Sequence, residues 1–410
     1  MDRESRTVIV GAGQAASQTA VSLRQYGFEG SITIIGDEDT YPYQRPPLSK
    51  AYMKGELDKE RLYIRPADWY SSNNVDLRLS CSVVSVDREA KTVEVNTGDT
   101  LSYDRLVFAT GSRARKVSVE GADLENIFEL RTLDDVERIR PTLAKGKKIA
   151  IVGAGYIGLE AAAVARQLGL DVTVIEMTNR VLARVTSPVM SSFYQRIHEA
   201  EGVTILTEAA LASFVGDAGK VTKAILQDGR EIDADIVLVG IGILPNQELA
   251  AEAGIDCKDG IVVDCDGRTS DPTVFAGGDC ARRPLVHYEG EARLESVHNA
   301  IEQGKIIAAS IMGKPRPKEE APWFWSDQYD LKLQIAGLSS GFDTYILRGD
   351  EAEKSFAVFY FKADQLIAVD AVNAPGDFLF AKRWIANSQT PDLTLLKDKA
   401  LTIKEIAQQM

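Results

Sequence analysis

One repeat constrains this chain more than any other feature. Thr7-Val8-Ile9-Val10 is a short, continuous apolar run. It passes into Gly11-Ala12-Gly13-Gln14-Ala15-Ala16, then a helical stretch reaching Tyr26, then a second apolar run from Ser31 to Ile35 that ends at Gly36-Asp37-Glu38. The same order returns later. Lys148 to Val152 leads into Gly153-Ala154-Gly155-Tyr156-Ile157-Gly158, a helix through Leu159-Glu160-Ala161-Ala162-Ala163, and a run from Asp171 to Ile175 that ends at Glu176. Apolar runs without alternation are buried on both faces, as in a parallel sheet covered by helices. Each copy therefore predicts a strand–turn–helix–strand unit with glycines in the turn and an acid beyond the second strand, the fingerprint of a dinucleotide site.

The repeat extends past the fingerprints. Val93-Glu94-Val95, a turn at Asn96 to Asp99 and a returning strand from Tyr103 to Gly111 are matched by Ala224-Ile225-Leu226, a turn at Asp228-Gly229 and a strand from Asp235 to Gly242. An Asp-Gly pair between apolar runs is a hairpin signal. Gly260 to Asp264 and Val274 to Asp279 then read as strands, and Ala300 to Met312 as a helix. Gly313-Lys314-Pro315-Arg316-Pro317-Lys318 reads as a boundary rich in proline and charge. Beyond it, strand-like alternation at Leu331 to Gly337, Ser355 to Tyr360 and Gln365 to Asp370, with two helices to follow, predicts a small third domain. The expected fold class is α/β, with two tandem Rossmann-like nucleotide-binding domains in a glutathione-reductase-like arrangement and a C-terminal α/β domain. The expected boundaries are 1–111 with 243–318 for the first domain, 112–242 inserted within it for the second, and 319–410 for the third.

The residue types explain the chemistry. A glycine turn lets backbone approach a pyrophosphate, and the helix start behind it adds N–H donors and about half a positive charge. Candidates in the first copy are Gly11, Gly13, Ala15, Ala16, Asp37 and Glu38, with Ala109, Thr110 and Gly111 on the returning strand. In the second copy they are Gly153, Gly155, Ile157, Gly158, Glu176, Arg184 and Gly242. A carboxylate at the end of the second strand accepts from ribose hydroxyls and repels a 2′-phosphate, so Glu176 favours NADH over NADPH. Arg180 and Arg184 leave that choice open, because an arginine beside the acid can accept a phosphate. Gly277-Gly278-Asp279, after an apolar strand and before a helix, suits a ribityl hydroxyl. It marks a return to the first domain and makes the first nucleotide FAD.

Totals narrow the class. The net charge of −13 argues against nucleic-acid binding, which favours a basic face. Cys81, Cys257, Cys265 and Cys280 form no C-x-x-C or C-x4-C pair, and the three histidines add no metal-ligand spacing, so neither a disulfide framework nor a metal site is expected. No apolar run approaches the roughly 18 residues that span a bilayer. The polar start, Met1-Asp2-Arg3-Glu4, shows no signal peptide. The expectation is a cytoplasmic protein without a membrane partner, monomeric or weakly dimeric.

These stretches, together with Arg45-Pro46-Pro47-Leu48-Ser49-Lys50, Leu130-Arg131-Thr132-Leu133, Glu295-Ser296-Val297-His298-Asn299-Ala300 and Pro322-Trp323-Phe324-Trp325-Ser326-Asp327-Gln328, resemble the FAD-dependent ferredoxin reductases that serve putidaredoxin, rubredoxin and aromatic-dioxygenase systems. The likeness covers essentially the whole chain. It implies that Gly11, Gly13, Ala15 and Asp37 hold the diphosphate and adenosine half of FAD. Val83 would contact adenine through its main chain, and Arg131 would approach the pyrophosphate. Asp279 would take the ribityl chain, and Val297 would lie at the pyrimidine edge. Lys50 would lie beside the isoalloxazine, paired with Glu160, as the catalytic pair. From the residues alone Glu160 is equally an ordinary helix glutamate. His298 departs from the family pattern and is either a tuning group or a hydrogen-bonded spacer.

The resemblance implies an NADH:ferredoxin oxidoreductase of the EC 1.18.1 type. Hydride would pass from NADH to FAD N5, and single electrons from there to a [2Fe–2S] ferredoxin feeding a P450 or Rieske oxygenase. Related disulfide reductases carry a cysteine pair or a single cysteine after the first unit, and Tyr41-Pro42-Tyr43-Gln44 has none. Electrons would then leave the flavin directly. Lys305, Lys314, Arg316 and Trp325 are the candidate docking residues for the ferredoxin. The cations could equally be a solvated boundary, and Trp325 could be core. The alternatives are a reductase of a small acceptor, monodehydroascorbate-like or a diaphorase, and an apoptosis-inducing-factor-like flavoprotein that responds to NADH.

Overall fold

The first apolar run forms the strand Arg6–Val10. It lies parallel to Ser31–Ile35 on one side and to Arg105–Phe108 on the other. The full sheet runs Val274–Ala276, Arg105–Phe108, Arg6–Val10, Ser31–Ile35, Val75–Arg78. The edge strand Val274–Ala276 is in register with Leu106–Phe108, so the chain leaves this sheet after residue 108 and returns to it more than a hundred residues later. The β-branched residues that fill these strands pack against the helices Gln14–Gln25 and Val297–Ile311 in one core that includes Ile9, Ile34, Val107, Phe275 and Ile307. These coordinates are a computed structural model that describes residues 5–410; the polar start at 1–4, read above for the absence of a signal peptide, lies outside the described residues.

The second repeat builds a second five-stranded parallel sheet, ordered Thr204–Leu206, Asp171–Ile175, Lys148–Val152, Ile236–Val239, Ile127–Glu129. Each repeat also carries a three-stranded antiparallel excursion, Val83–Asp87, Thr92–Val95 and Thr100–Ser102 in the first and Leu211–Asp217, Lys220–Leu226 and Glu231–Asp233 in the second. The hairpins read from the turn residues are present. The opening strand of each excursion is half-exposed and weakly apolar, which is why its pattern is faint.

The C-terminal region is an antiparallel sheet ordered Trp323–Gln328, Leu331–Gly337, Gln365–Val372, Ser355–Lys362, Thr344–Asp350. Three helices follow, Pro375–Ala386, Leu393–Lys397 and Ile403–Ala407, where the sequence pattern predicted two. The last two have five residues each, too short for an apolar period. They are set by their caps, Asp392 and the Thr402–Glu405 capping box.

The chain divides into two compact units. One comprises 1–44, 60–113 and 244–324; the other comprises 45–59, 114–243 and 325–410. In the second unit the nucleotide sheet and the C-terminal sheet share one core. Leu159, Phe193 and Tyr194 lie in it with Phe356, Val358 and Tyr360, and the Phe193 and Phe356 rings meet edge-on at 4.8 Å. Among the described residues no helix is long and apolar enough to cross a membrane, and no cluster of His, Cys, Asp and Glu is suited to a metal.

Candidate dinucleotide and redox site

In the first unit Gly11 takes φ +104°, and a Cβ there would lie 2.2 Å from the Ala109 carbonyl oxygen. Only glycine lets the first and returning strands close at this point. Gly13 then caps the helix Gln14–Gln25 with no side chain on its free N–H groups, and a Cβ at Gly13 would meet nothing within 4 Å. The helix start therefore faces open space with bare donors, a cradle of the kind that takes a diphosphate. Ala15 and Ala16, buried, form the first turn of that helix. The residues fit a dinucleotide here.

The rest of the first candidate set gathers at the C-terminal ends of the same strands. Thr110 donates to Asn246 O at 2.6 Å, Asn246 N donates to Gly111 O at 3.0 Å, and Ala109 N donates to Val10 O at 2.8 Å. Ser112 Oγ donates to an Asp279 carboxylate oxygen at 2.9 Å. Val297 opens the helix capped by Ser296. Cys81 N donates to Gly36 O at 2.9 Å, which brings the chain at Val83 back to the acid segment. Asp37 is exposed, while Glu38 is half-buried and accepts from Tyr43 at 2.7 Å.

The two acids are not equivalent. Gly36 N bonds Arg78 O, and Glu176 N bonds Leu206 O at the matching place in the second sheet. Gly36 thus occupies the position of Glu176, and Asp37 comes one residue later. A Cβ at Gly36 would lie 2.4 Å from the Ala12 Cβ, so no acid fits there.

The second glycine turn repeats the first. Gly153 has φ +103°, and a Cβ there would lie 2.5 Å from Gly240 O; Gly155 starts the helix Tyr156–Gln167 without a side-chain cap and with nothing within 4 Å of its missing Cβ. Gly158 packs on Gly153 O, and Ile157 is exposed at the helix start. Glu176 accepts from Ala154 N at 2.7 Å and from Thr178 N and Oγ1 at 2.8 Å, so the acid is held by the turn itself. The two arginines separate. Arg180 is committed to Thr186 O, Ser191 Oγ and Ala183 O. Arg184 is exposed and lies over Gly242, 3.4 Å from where a Cβ would be.

Lys50 and Glu160 meet in the second unit, Nζ to Oε2 at 2.7 Å. The helix Tyr156–Gln167 carries Glu160 on its buried side, 2% exposed, and the short 3-10 turn Pro46–Ser49 delivers Lys50. Ser49 Oγ donates to Glu160 at 2.5 Å and Ser326 Oγ donates to its other oxygen at 2.6 Å. Burying an ion costs several kcal/mol, and each charge-assisted hydrogen bond recovers about 1.5–3 kcal/mol. The lysine and both hydroxyls are therefore needed as a set. Glu160 is therefore a buried, paired carboxylate and does not point to solvent. Arg45 donates to Arg131 O at 2.8 Å, and Arg131 N bonds Asp135, which fixes the start of the next helix beside the same turn. Sequence reasoning quoted Ser49 and Ser326 within the runs around Lys50 and Trp325 but gave them no role.

The cysteines are unpaired; Cys280 is buried against the carbonyls of Phe108 and Gly277, and burial pushes its pKa up. His298 lies 3.4 Å from Glu320 and against the Trp323 ring. Of the candidate docking cations, Arg316 is drawn to Asp266 and Glu319, and Lys314 sits over the Tyr26 ring. Lys305 is exposed on the helix Val297–Ile311. Trp325 is half-buried on its strand.

Comparison with known proteins finds relatives along the whole chain. Residues 5–304 match the family described as pyridine nucleotide-disulphide oxidoreductase, and residues 323–407 match the reductase C-terminal family. The probable ferredoxin reductase CtmF of Castellaniella defragrans is 43% identical over 99% of this chain and 100% of its own length. Putidaredoxin reductase CamA of Pseudomonas putida is 42% identical over 99% of this chain and 97% of its own. The crystal structure of a covalent putidaredoxin reductase–putidaredoxin complex superposes with a TM-score of 0.97, covering 99% of this chain and 98% of that one at 42% identity. The chain belongs to the pyridine nucleotide-disulphide oxidoreductase family, among its ferredoxin reductases.

Proposed function

We propose that this protein is an NADH-dependent ferredoxin reductase that passes electrons to a [2Fe–2S] ferredoxin serving a P450 or Rieske oxygenase. The carrying observation is the duplicated helix start, Gly13 and Gly155, each bare of a side-chain cap and each facing open space. One cradle would hold FAD, with Asp37, Glu38, Val83, Thr110, Asp279 and Val297 around it; the resemblance assigns Arg131 to its diphosphate. The other would hold NADH, with Glu176 rejecting a 2′-phosphate and Arg184 beside Gly242. FAD, when bound, supplies the step between hydride and single electrons. The chain positions and desolvates: Glu160 fixes the Lys50 ammonium, and Lys50 presents a cation where the resemblance puts electron-rich atoms. The absence of a paired thiol supports direct delivery from the site.

We take 1–111 with 243–318, 112–242 and 319–410 as the functional divisions, in keeping with the return of Val274–Ala276 to the first sheet. Unpaired thiols fit a cytoplasmic compartment. Rapid mixing with NADH is expected to bleach the visible absorbance of the purified holoenzyme, and cytochrome c reduction is expected to depend on added ferredoxin. Turnover of quinones or ferricyanide that ferredoxin does not raise would instead identify a small-acceptor reductase. Dimerisation on NADH without turnover would identify a signalling flavoprotein. For docking, the Lys305→Glu variant is expected to slow the ferredoxin-dependent rate more than Arg316→Glu, because Arg316 already has acidic partners.

A further inference from the structure

Glu160 is one end of a row of buried side chains in the second unit. Ser326 Oγ donates to Glu160 Oε1 at 2.6 Å, and Gln328 Nε2 donates to Ser326 Oγ at 3.1 Å. Gln328 Oε1 lies 2.8 Å from His198 Nε2, and the Tyr329 hydroxyl lies 3.2 Å from His198 Nδ1. Glu160, Ser326, Gln328 and His198 are each at most 2% exposed. Tyr329 is half-buried at the outer end, where Glu201 and Arg166 are the charged groups that act on its hydroxyl.

The direction of every bond follows from the carboxylate. A carboxylate only accepts. The single proton of Ser326 therefore goes to Glu160, and its oxygen must accept from the Gln328 amide nitrogen. That turns the Gln328 oxygen toward His198, so His198 must carry its proton on Nε2. Burial holds the ring neutral, its pKa pushed down to about 4 despite the opposing hydrogen bond to Gln328. A neutral ring protonated on Nε2 has its lone pair on Nδ1, where the Tyr329 hydroxyl donates. All four bonds point the same way. A primary amide cannot hand a proton along such a row without becoming an imidic acid, so the row orients rather than conducts.

We propose that His198 is a positioning residue for the Lys50–Glu160 pair, holding the Glu160 carboxylate through Gln328 and Ser326 and anchored at its far end by Tyr329. This rests on the proposed placement of Lys50 beside the flavin, and the experiment separates the two.

In holoenzyme labelled with 15N-histidine, long-range 1H–15N spectra are expected to show His198 as the Nε2–H tautomer from pH 6 to 8, with the His198→Gln spectrum identifying its signals. An Nδ1–H tautomer or an imidazolium in that range overturns the proposal. His198→Leu and Ser326→Ala are each expected to slow flavin reduction at saturating NADH about tenfold, short of the roughly hundredfold cost of an ångström-scale misplacement, with the NADH KM unchanged. His198→Gln, which supplies both a donor and an acceptor, is expected to restore the rate. The double variant is expected to be no slower than either single one, as for members of one network. Additive losses, or a failure of His198→Gln to restore the rate, overturn the proposal as well. A wild-type flavin that NADH does not bleach overturns the functional reading instead, and the tautomer still decides the row.

Discussion

Asp370 offers a sharp test of how the second unit is held together. It is 1% exposed, and its Oδ2 accepts from Thr186 Oγ1 and from the Tyr360 hydroxyl at 2.7 Å, while Oδ1 is buried without a partner. Burial raises its pKa from 3.8 to about 6, against the opposing pull of those two donors. Between these values the native state binds a proton that the unfolded chain has already lost, so stability falls as pH rises through this window. The penalty is absent below 3.8 and complete above 6; two units at 1.36 kcal/mol each make it about 3 kcal/mol. An Asp370→Asn amide keeps an oxygen for Thr186 and Tyr360 but cannot ionise. Its NH2 would lack an acceptor, a cost of about 1–3 kcal/mol that does not change with pH. Integrating the window, the variant should gain about 2 kcal/mol on the wild type between pH 4.5 and pH 7.5. Paired urea unfolding of both holoenzymes at those pH values cancels the contribution of the other 59 acidic residues out of 60. An Asn-minus-Asp difference that is the same at both pH values would refute the argument.

Glu160→Gln keeps the shape but leaves Lys50 without a counter-ion, and flavin reduction by NADH in stopped flow should slow by about 10- to 100-fold; an unchanged rate would remove the pair from the site. Gly153→Ala places a Cβ 2.5 Å from Gly240 O at φ +103°, so NAD+ affinity by titration should fall at least tenfold while the flavin-to-protein absorbance ratio holds. Glu176→Ala removes the carboxylate but leaves Arg184, and the NADPH-to-NADH ratio of kcat/KM should rise by about tenfold or more, about 1.4 kcal/mol of discrimination.

The architecture was legible because both signals behind it are local. Continuous β-branched runs mark parallel strands, and glycines at fixed offsets mark the turns. The return of Val274–Ala276 to the first sheet was legible because the Gly277-Gly278-Asp279 segment reads as a returning strand end. What stayed hidden depends on long-range packing. Ser326 and Gln328 face the core beside half-buried neighbours, and nothing local says that one hydroxyl will reach a glutamate 166 positions away. His198 sits on an amphipathic helix where its burial follows only from the sheet laid over it. The inequality of Asp37 and Glu176 was also invisible, since a one-residue offset emerges only when the hydrogen bonds of Gly36 and Glu176 are compared.

The shared core of the second unit has an engineering consequence. Partner specificity in modular reductases invites domain grafting, with the C-terminal module of one protein spliced onto the nucleotide modules of another. Here such a graft would cut through Phe193 against Phe356, Ser326 against Glu160 and Asp370 against Thr186. A working chimera must therefore take Glu160, the Thr186–Ser187 turn and the helix Pro188–Ala200 from the same parent as residues 323–410, instead of crossing over at the proline-rich boundary.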